Sequence, residues 1–185
     1  MSRHQVVVVG GGVIGLMTAR ELVRAGYSTA VIELTTTGRE SSWAGGGILS
    51  PLYPWKYPDA VNRLCHWSQS AYPHLIKDLC VATAVDAEWT PSGLVVLDEN
   101  HADAMTWLQG SGIRWRPLKN GDLLDLEPRI APSVARALWL PHIAQVRNPR
   151  LLKALRIYLE QRNVRFYEHT QVYGPVVHGG ALCGM

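Results

Sequence analysis

Phenylalanine is nearly absent from this sequence, at one residue, and cysteine is scarce, at three. Cys65, Cys80 and Cys183 are odd in number, far apart and free of any Cys-x-x-Cys pair, so no disulfide framework is indicated. They read as reduced thiols of a cytosolic protein. No stretch reaches the ~18 consecutive apolar residues that a membrane-crossing helix requires, which points to a soluble chain. Charge of one sign is also thin, the formal net charge being only +3. The densest basic cluster, Arg114, Arg116 and Lys119, has no aromatic stacking platform beside it, which argues against nucleic-acid binding. No internal repeat, disordered tail or Ser/His/Asp constellation appears.

What is present suits one domain or a domain and a half: 185 residues, 47% of them apolar. Seven tryptophans stand against the single phenylalanine, and most of them are expected to fill core. Residues 6–19 imitate the apolar part of a signal peptide, yet Gly10, Gly11, Gly12 and Gly15 interrupt the run where a signal sequence keeps a helix.

Gln5–Val9 is β-branched and predicts a strand buried on both faces. Ile14, Met17 and Leu22 recur at helical spacing over 13–25, and Gly26 supplies a C-cap. Thr29–Ile32 predicts a second buried strand ending in Glu33, so a right-handed parallel crossover is expected. Residues 35–57 form a Gly/Ser/Pro-rich loop of a length that usually carries function. A helix is predicted from Asp59 to about Leu79, irregular at Pro73. The pattern then turns antiparallel. Strands at 88–90 and 94–97 are predicted to form a hairpin about Pro91-Ser92-Gly93, followed by a helix over 102–108 and a strand near 113–116. A helical turn at 123–127 and a strand near 136–140 follow. Asn148-Pro149 offers an N-cap and an N1 proline to an amphipathic helix running to about Gln161. Val164–Tyr167 is expected to rejoin the first sheet. After the turn-like His178-Gly179-Gly180 no closing strand or helix is predicted, and the chain reads as the N-terminal portion of something longer.

The chemistry sits at the first crossover. Gly10-Gly11-Gly12-Val13-Ile14-Gly15 is a G-x-G-x-x-G between strand and helix. Gly10 permits a tight turn, Gly12 lets a pyrophosphate approach the backbone, and Gly15 lets the helix pack on the strand. The helix start offers unpaired N–H groups and a partial positive charge to phosphates. Glu33, at the end of the second strand, is placed to accept hydrogen bonds from ribose hydroxyls and to repel a 2′-phosphate, which argues against NADP. FAD and NAD share this pattern, and the loop Arg39-Glu40-Ser41-Ser42-Trp43-Ala44-Gly45-Gly46-Gly47-Ile48 separates them. Its hydroxyls and bare backbone suit a pyrophosphate and a ring edge approached closely. A flexible linker is the competing reading, but Trp43 and Ile48 are poor linker residues.

Val6–Gly15, Glu33, Ser41-Ser42-Trp43-Ala44-Gly45-Gly46-Gly47-Ile48-Leu49-Ser50-Pro51 and Gln145-Val146-Arg147-Asn148-Pro149-Arg150-Leu151 together resemble the D-amino-acid oxidase superfamily of FAD-dependent oxidoreductases. Within it the resemblance is to the glycine oxidases, flavoenzymes of thiamine biosynthesis, and it covers nearly the whole chain. It implies an α/β fold: a Rossmann-like FAD-binding βαβ domain with an inserted mixed or antiparallel substrate-domain segment, truncated. The implied division is 1–82 and 148–185 for the FAD-binding domain and 83–147 for the start of the substrate domain. Val13 and Ile14 would meet the pyrophosphate, Glu33 and Leu34 the ribose and adenine, and Ser41 and Ser42 the phosphate and ribityl chain. Gly46, Gly47 and Ile48 would lie against the isoalloxazine, and the Val172 backbone against the adenine.

The implied reaction is hydride transfer from the substrate α-carbon to flavin N5, then reoxidation by O2 to give H2O2. The flavin carries the chemistry, so no catalytic acid or base is assigned. His66, His74 and His142 stand alone without metal-ligand spacing, so no metal is expected. The family's carboxylate-holding arginine and tyrosine have no counterpart here, so these residues alone are expected to release no H2O2 from glycine. The implied partners are a small amino acid and O2, in the cytoplasm, with a homo-oligomer left open. Two other readings stay open: a quinone-linked flavin amino-acid dehydrogenase, and a truncated, inactive fragment that binds FAD or an adenine nucleotide.

Overall fold

Four consecutive valines, each branched at Cβ, make the first strand, β1 (Val6–Val9). The chain then runs through α1 (Val13–Arg24), β2 (Thr29–Ile32), the single-turn α2 (Ser41–Ala44), a 3-10 turn (Pro54–Lys56), α3 (Asp59–Thr83) and β3 (Leu94–Val96). Next come α4 (His101–Ser111), β4 (Arg116–Lys119), α5 (Asn120–Leu126), β5 (Arg136–Leu140), α6 (Asn148–Glu160), β6 (Arg165–Tyr167), β7 (Val176–His178) and β8 (Ala181–Gly184). This computed structural model describes residues 4–97, 101–131, 133, 134 and 136–184. The chain divides into two compact units: Met1–Gly46, Ile76–Ala87 and Arg147–Met185 in the first, Gly47–Leu75 and Glu88–Val146 in the second.

The first unit is built on a parallel sheet in the order β1-β2-β6. Val6 to Val9 pair in register with Thr29 to Ile32, and Ala30 to Ile32 pair with Arg165 to Tyr167. The central strand is the buried one, Ala30 and Val31 being almost inaccessible. Helices α1 and α6 pack on each other, burying Leu16 and Ala19 from one and Leu151, Leu152, Leu155 and Leu159 from the other. Each such leucine contributes roughly 1.5–3 kcal/mol over leaving it exposed. Arg20 is buried beside them, its guanidinium 5.5 Å from the Tyr158 ring centre and paired with Glu21 and Asp78. Gly26 adopts φ +89° as α1 ends, the conformation expected of its C-terminal glycine.

The second unit is built on an antiparallel sheet in the order β3-β5-β4. Val96, Ala104, Leu108, Leu138, Leu140 and Ile143 form its core cluster, with Trp55, Trp107 and Trp115 packed against it. Trp139 joins a second cluster around Leu118, Leu123 and Ala137. Four of the seven tryptophans thus fill core, whereas Trp43 and Trp67 are exposed.

Several local expectations are revised. Residues 88–90 make no hairpin with 94–97. Thr90 instead exchanges two backbone hydrogen bonds with Gln145, and β3 pairs with β5 from Leu94↔Leu140 to Val96↔Leu138. The strand expected near 113–116 lies at Arg116–Lys119, because Ile113 and Trp115 are used in the apolar cluster. Pro117 is tolerated because β4 is an edge strand. Helix α3 runs through Pro73 to Thr83 without a break, and Leu75, Ile76 and Leu79 are buried along it. Asn148 does not cap α6; its side chain donates to the Gly45 carbonyl at 3.0 Å, and Arg147 takes the cap position. The Gly179-Gly180 turn, at φ +56° and +79°, closes a β7–β8 hairpin that the sequence reading left out. By compactness residues 47–75 group with 88–146, and Gly47 and Leu49 are hydrogen-bonded to Val146 and Ala144.

Candidate functional site

The first unit converges on the turn between β1 and α1. Gly10 has φ +105°, and its N–H donates to the Ile32 carbonyl at 2.8 Å, tying the turn to β2. A Cβ added at Gly15 would lie 1.9 Å from the Gly10 carbonyl oxygen, so only glycine lets α1 start this close to the strand. A Cβ at Gly12 would meet the Ser42 hydroxyl oxygen at 3.1 Å. The same hydroxyl accepts the Val13 N–H at 3.0 Å. No side chain caps the helix at Gly12. Among the described residues, the N–H groups of Ile14 and Gly15 have no protein acceptor, which leaves them available to an anion. Ile14 is 78% exposed on this lip.

Glu33 closes the other side. Its Oε2 accepts the Gly11 N–H at 2.7 Å and its Oε1 the Thr35 N–H at 2.9 Å. Partial burial pushes the carboxyl up, but the hydrogen bonds from Thr35, Gly11 and Leu34 outweigh it and hold the group below the usual carboxylate range. The Thr35 hydroxyl lies 3.3 Å from Oε1 as well, so a ribose hydroxyl would approach on the Oε2 side, beside the Gly11 N–H. Leu34 is exposed beside it.

The structure therefore brings Gly10, Gly12, Val13, Ile14, Gly15, Glu33 and Ser42 together. Ser41 is an exposed neighbour on α2. Gly46 is open, with nothing within 4 Å of an added Cβ. Gly47 adopts φ +74°, and Ile48 bridges Gln145 in the second unit. Val172 follows Thr170, whose N–H bonds the Glu33 carbonyl at 3.0 Å. Sequence reasoning passed over Gly11 as a Glu33 partner and gave no role to Thr35, Thr37 or Glu168. Thr37 and Glu168 are hydrogen-bonded across 131 positions, a pairing with no local signal. In the second unit His66 and His142 line a small pocket with Cys65 and Gln69. Burial holds His142 below its ordinary pKa despite a bond to the Arg114 backbone, and the charges of His66 and Arg114 add to the depression. Among the described residues no group of three or more His, Cys, Asp or Glu could hold a metal ion. All three cysteines are free. No helix among the described residues is long and apolar enough to cross a membrane.

A glycine turn, an uncapped helix start and an acidic group at the end of the adjacent strand define a dinucleotide-binding βαβ unit. The family profile described as FAD dependent oxidoreductase matches residues 5–182, and the chain belongs to that family. It is 45% identical to the glycine oxidase of Pseudomonas putida over 98% of this chain and 50% of that protein. The crystal structure of glycine oxidase from Geobacillus kaustophilus superposes with a TM-score of 0.81 at 30% identity, covering 95% of this chain and 49% of that one. That of Bacillus cereus gives 0.86 at 25% identity, covering 97% and 51%. The chain spans about half the length of the curated relatives it matches. The groups present fit FAD: bare N–H donors where a pyrophosphate would lie, an ionised acceptor where a ribose would lie, and no Cβ between them.

Proposed function

We propose that this chain holds FAD at the β1–α1 turn and serves the oxidation of glycine or another small amine, with O2 as the electron acceptor. The observation that carries the reading is the Gly11–Glu33 bond beside the uncapped start of α1. It sets an acceptor for ribose hydroxyls next to donors for a pyrophosphate. The N–H groups of Ile14 and Gly15 take the pyrophosphate oxygens. Ser42, already bonded to Val13, turns its hydroxyl proton toward the same phosphates. Glu33 takes the ribose hydroxyls, Leu34 and Val172 flank the adenine, and Ser41 reaches the ribityl side. Gly46, Gly47 and Ile48 offer bare or apolar backbone to the isoalloxazine. When bound, FAD accepts a hydride from the substrate α-carbon and passes the electrons to O2 as H2O2.

The first unit serves as the FAD-binding domain and the second as the start of the substrate domain. The setting is cytoplasmic, and the glycine-oxidase resemblance carries a link to thiamine biosynthesis. The test is thermal unfolding of the chain with FAD, ADP or NADP. FAD and ADP should raise the midpoint, and NADP should not, because its 2′-phosphate meets the Glu33 carboxylate. Equal protection by all three, or by none, sinks the assignment. Glycine-dependent H2O2 release by the chain extended through its downstream sequence, against reduction of a quinone, separates oxidase from dehydrogenase.

A further inference from the structure

The loop that carries Glu33 is held from the side by the segment that follows β6. Glu33 N–H donates to the Tyr167 carbonyl at 2.9 Å, Thr170 N–H to the Glu33 carbonyl at 3.0 Å, and His169 N–H to the Thr35 carbonyl at 3.0 Å. These bonds continue the β2–β6 pairing past the end of both strands. Within that segment the Glu168 Oε1 accepts the Thr37 N–H at 2.7 Å. The same carboxylate is gripped by both terminal nitrogens of Arg156 from α6, at 2.6 and 3.2 Å. Such two-pronged pairs fix direction as well as distance. Arg156 is itself set by Glu160 at 2.9 Å and by the Phe166 ring, 5.0 Å from its guanidinium.

Thr37 is buried, 7% exposed, and abuts the glycine turn. A Cβ at Gly11 would lie 3.1 Å from the Thr37 methyl, and Gly38 N–H donates to the Gly11 carbonyl at 3.0 Å. Gly11 N–H in turn donates to Glu33. The contacts form a closed ring: Glu168 to Thr37, Thr37 to Gly11, Gly11 to Glu33, and Glu33 back to the strand segment that carries Glu168. Through these contacts the position of Glu168 bears on that of the Glu33 carboxylate.

We propose that Glu168, anchored by Arg156, is a positioning residue of the nucleotide site, holding the 33–38 loop so that Glu33 faces the ribose. The proposal rests on the nucleotide reading above. Glu168 itself touches no ligand; it acts through Thr37 and Gly11.

The test is a double-mutant cycle on the 185-residue chain, read by calorimetric titration with ADP and by amide exchange. Glu168→Ala should weaken ADP binding roughly tenfold and speed exchange of the Thr37 amide, the loss expected for a charge-assisted hydrogen bond. Glu168→Gln keeps an acceptor for Thr37 but loses the ionic grip, so it should recover part of that affinity. In a Glu33→Ala background, Glu168→Ala should cost no further affinity, because the group it positions is gone. An unchanged ADP affinity, or the same loss in both backgrounds, overturns the proposal, the latter because a merely structural role is additive. If Glu168→Ala does not fold, Glu168→Gln and Arg156→Lys carry the test, and wild-type affinity with wild-type Thr37 exchange in both overturns it. A wild-type chain that binds no ADP overturns the nucleotide reading itself and this proposal with it. Binding by wild type with no effect at Glu168 overturns the proposal alone.

Discussion

The two units use glycine against different neighbours, and the contrast separates binding from stability. At the β1–α1 turn of the parallel unit the missing Cβ atoms of Gly15, Gly12 and Gly11 face the Gly10 carbonyl, the Ser42 hydroxyl, and the Glu33 carboxylate with the Thr37 side chain. In the antiparallel unit Gly93 faces an indole, with an added Cβ 1.9 Å from the Trp139 ring. One set of absences leaves room beside hydrogen-bonding groups. The other is already filled by a tryptophan. A glycine beside a hydrophobic ring is therefore a packing residue, and a glycine beside unpaired donors is a candidate for ligand approach.

The largest expected effect is on stability in the antiparallel unit. Gly93→Ala adds a clash with Trp139 to a φ of +71°, and should cost about 2–4 kcal/mol in urea unfolding while leaving ADP affinity unchanged. A loss below about 1 kcal/mol would show that Trp139 moves aside freely. Next is Gly12→Val, at φ −75° and so without backbone strain. It should keep the fold but lower ADP or FAD affinity by about a hundredfold or more, since the branched side chain fills the phosphate path beside Ser42. Normal binding by a folded Gly12→Val chain would make the turn purely structural.

Glu33→Ala should weaken ADP about tenfold or more, from the loss of charge-assisted hydrogen bonds of about 1.5–3 kcal/mol. It should also lower stability, because the Gly11 and Thr35 N–H groups lose their acceptor. Full ADP affinity in this variant would remove Glu33 from the site. The smallest effect is on acid stability. Arg156 beside Glu168, together with the Thr37 N–H, holds its carboxyl at about 2, down from 4.5. Because the unfolded chain then binds the proton more readily, this contribution is complete above the unfolded value and is lost as pH falls from about 4.5 toward 2. The Glu33 carboxyl, also held low, acts in the same direction. The wild type should therefore lose more stability than Glu168→Gln between about pH 6 and about pH 3 in urea titrations. Parallel losses in the two proteins would mean that the ion pair contributes nothing to folding.

The units also differ in how much of them could be read in advance. In the parallel unit the runs at 6–9 and 29–32 are continuous and largely apolar, Gly10 ends the first and Gly26 ends the helix between them, so strand, helix and crossover follow from local pattern. Seven of the proposed site residues lie within one turn and the end of one strand, or are joined to them by a single serine. In the antiparallel unit short runs compete. Ile113 and Trp115 look as strand-like as Arg116–Lys119, and which of them pairs depends on where β5 lies. The supposed hairpin at 88–97 failed for the same reason, since Thr90 and Leu94 both find partners beyond residue 139.

By itself the sequence determined the parallel crossover, the glycine turn and the acidic residue at the end of β2, because each depends on backbone freedom and periodicity within about thirty residues. Only the tertiary structure decided which groups hold that site in place. Ser42 at the helix start, Thr37 against Gly11, and Glu168 with Arg156 come from segments whose meeting depends on sheet order and helix packing. Hydrogen bonds of this kind are specified by position in space, and residue type alone carries no sign of them.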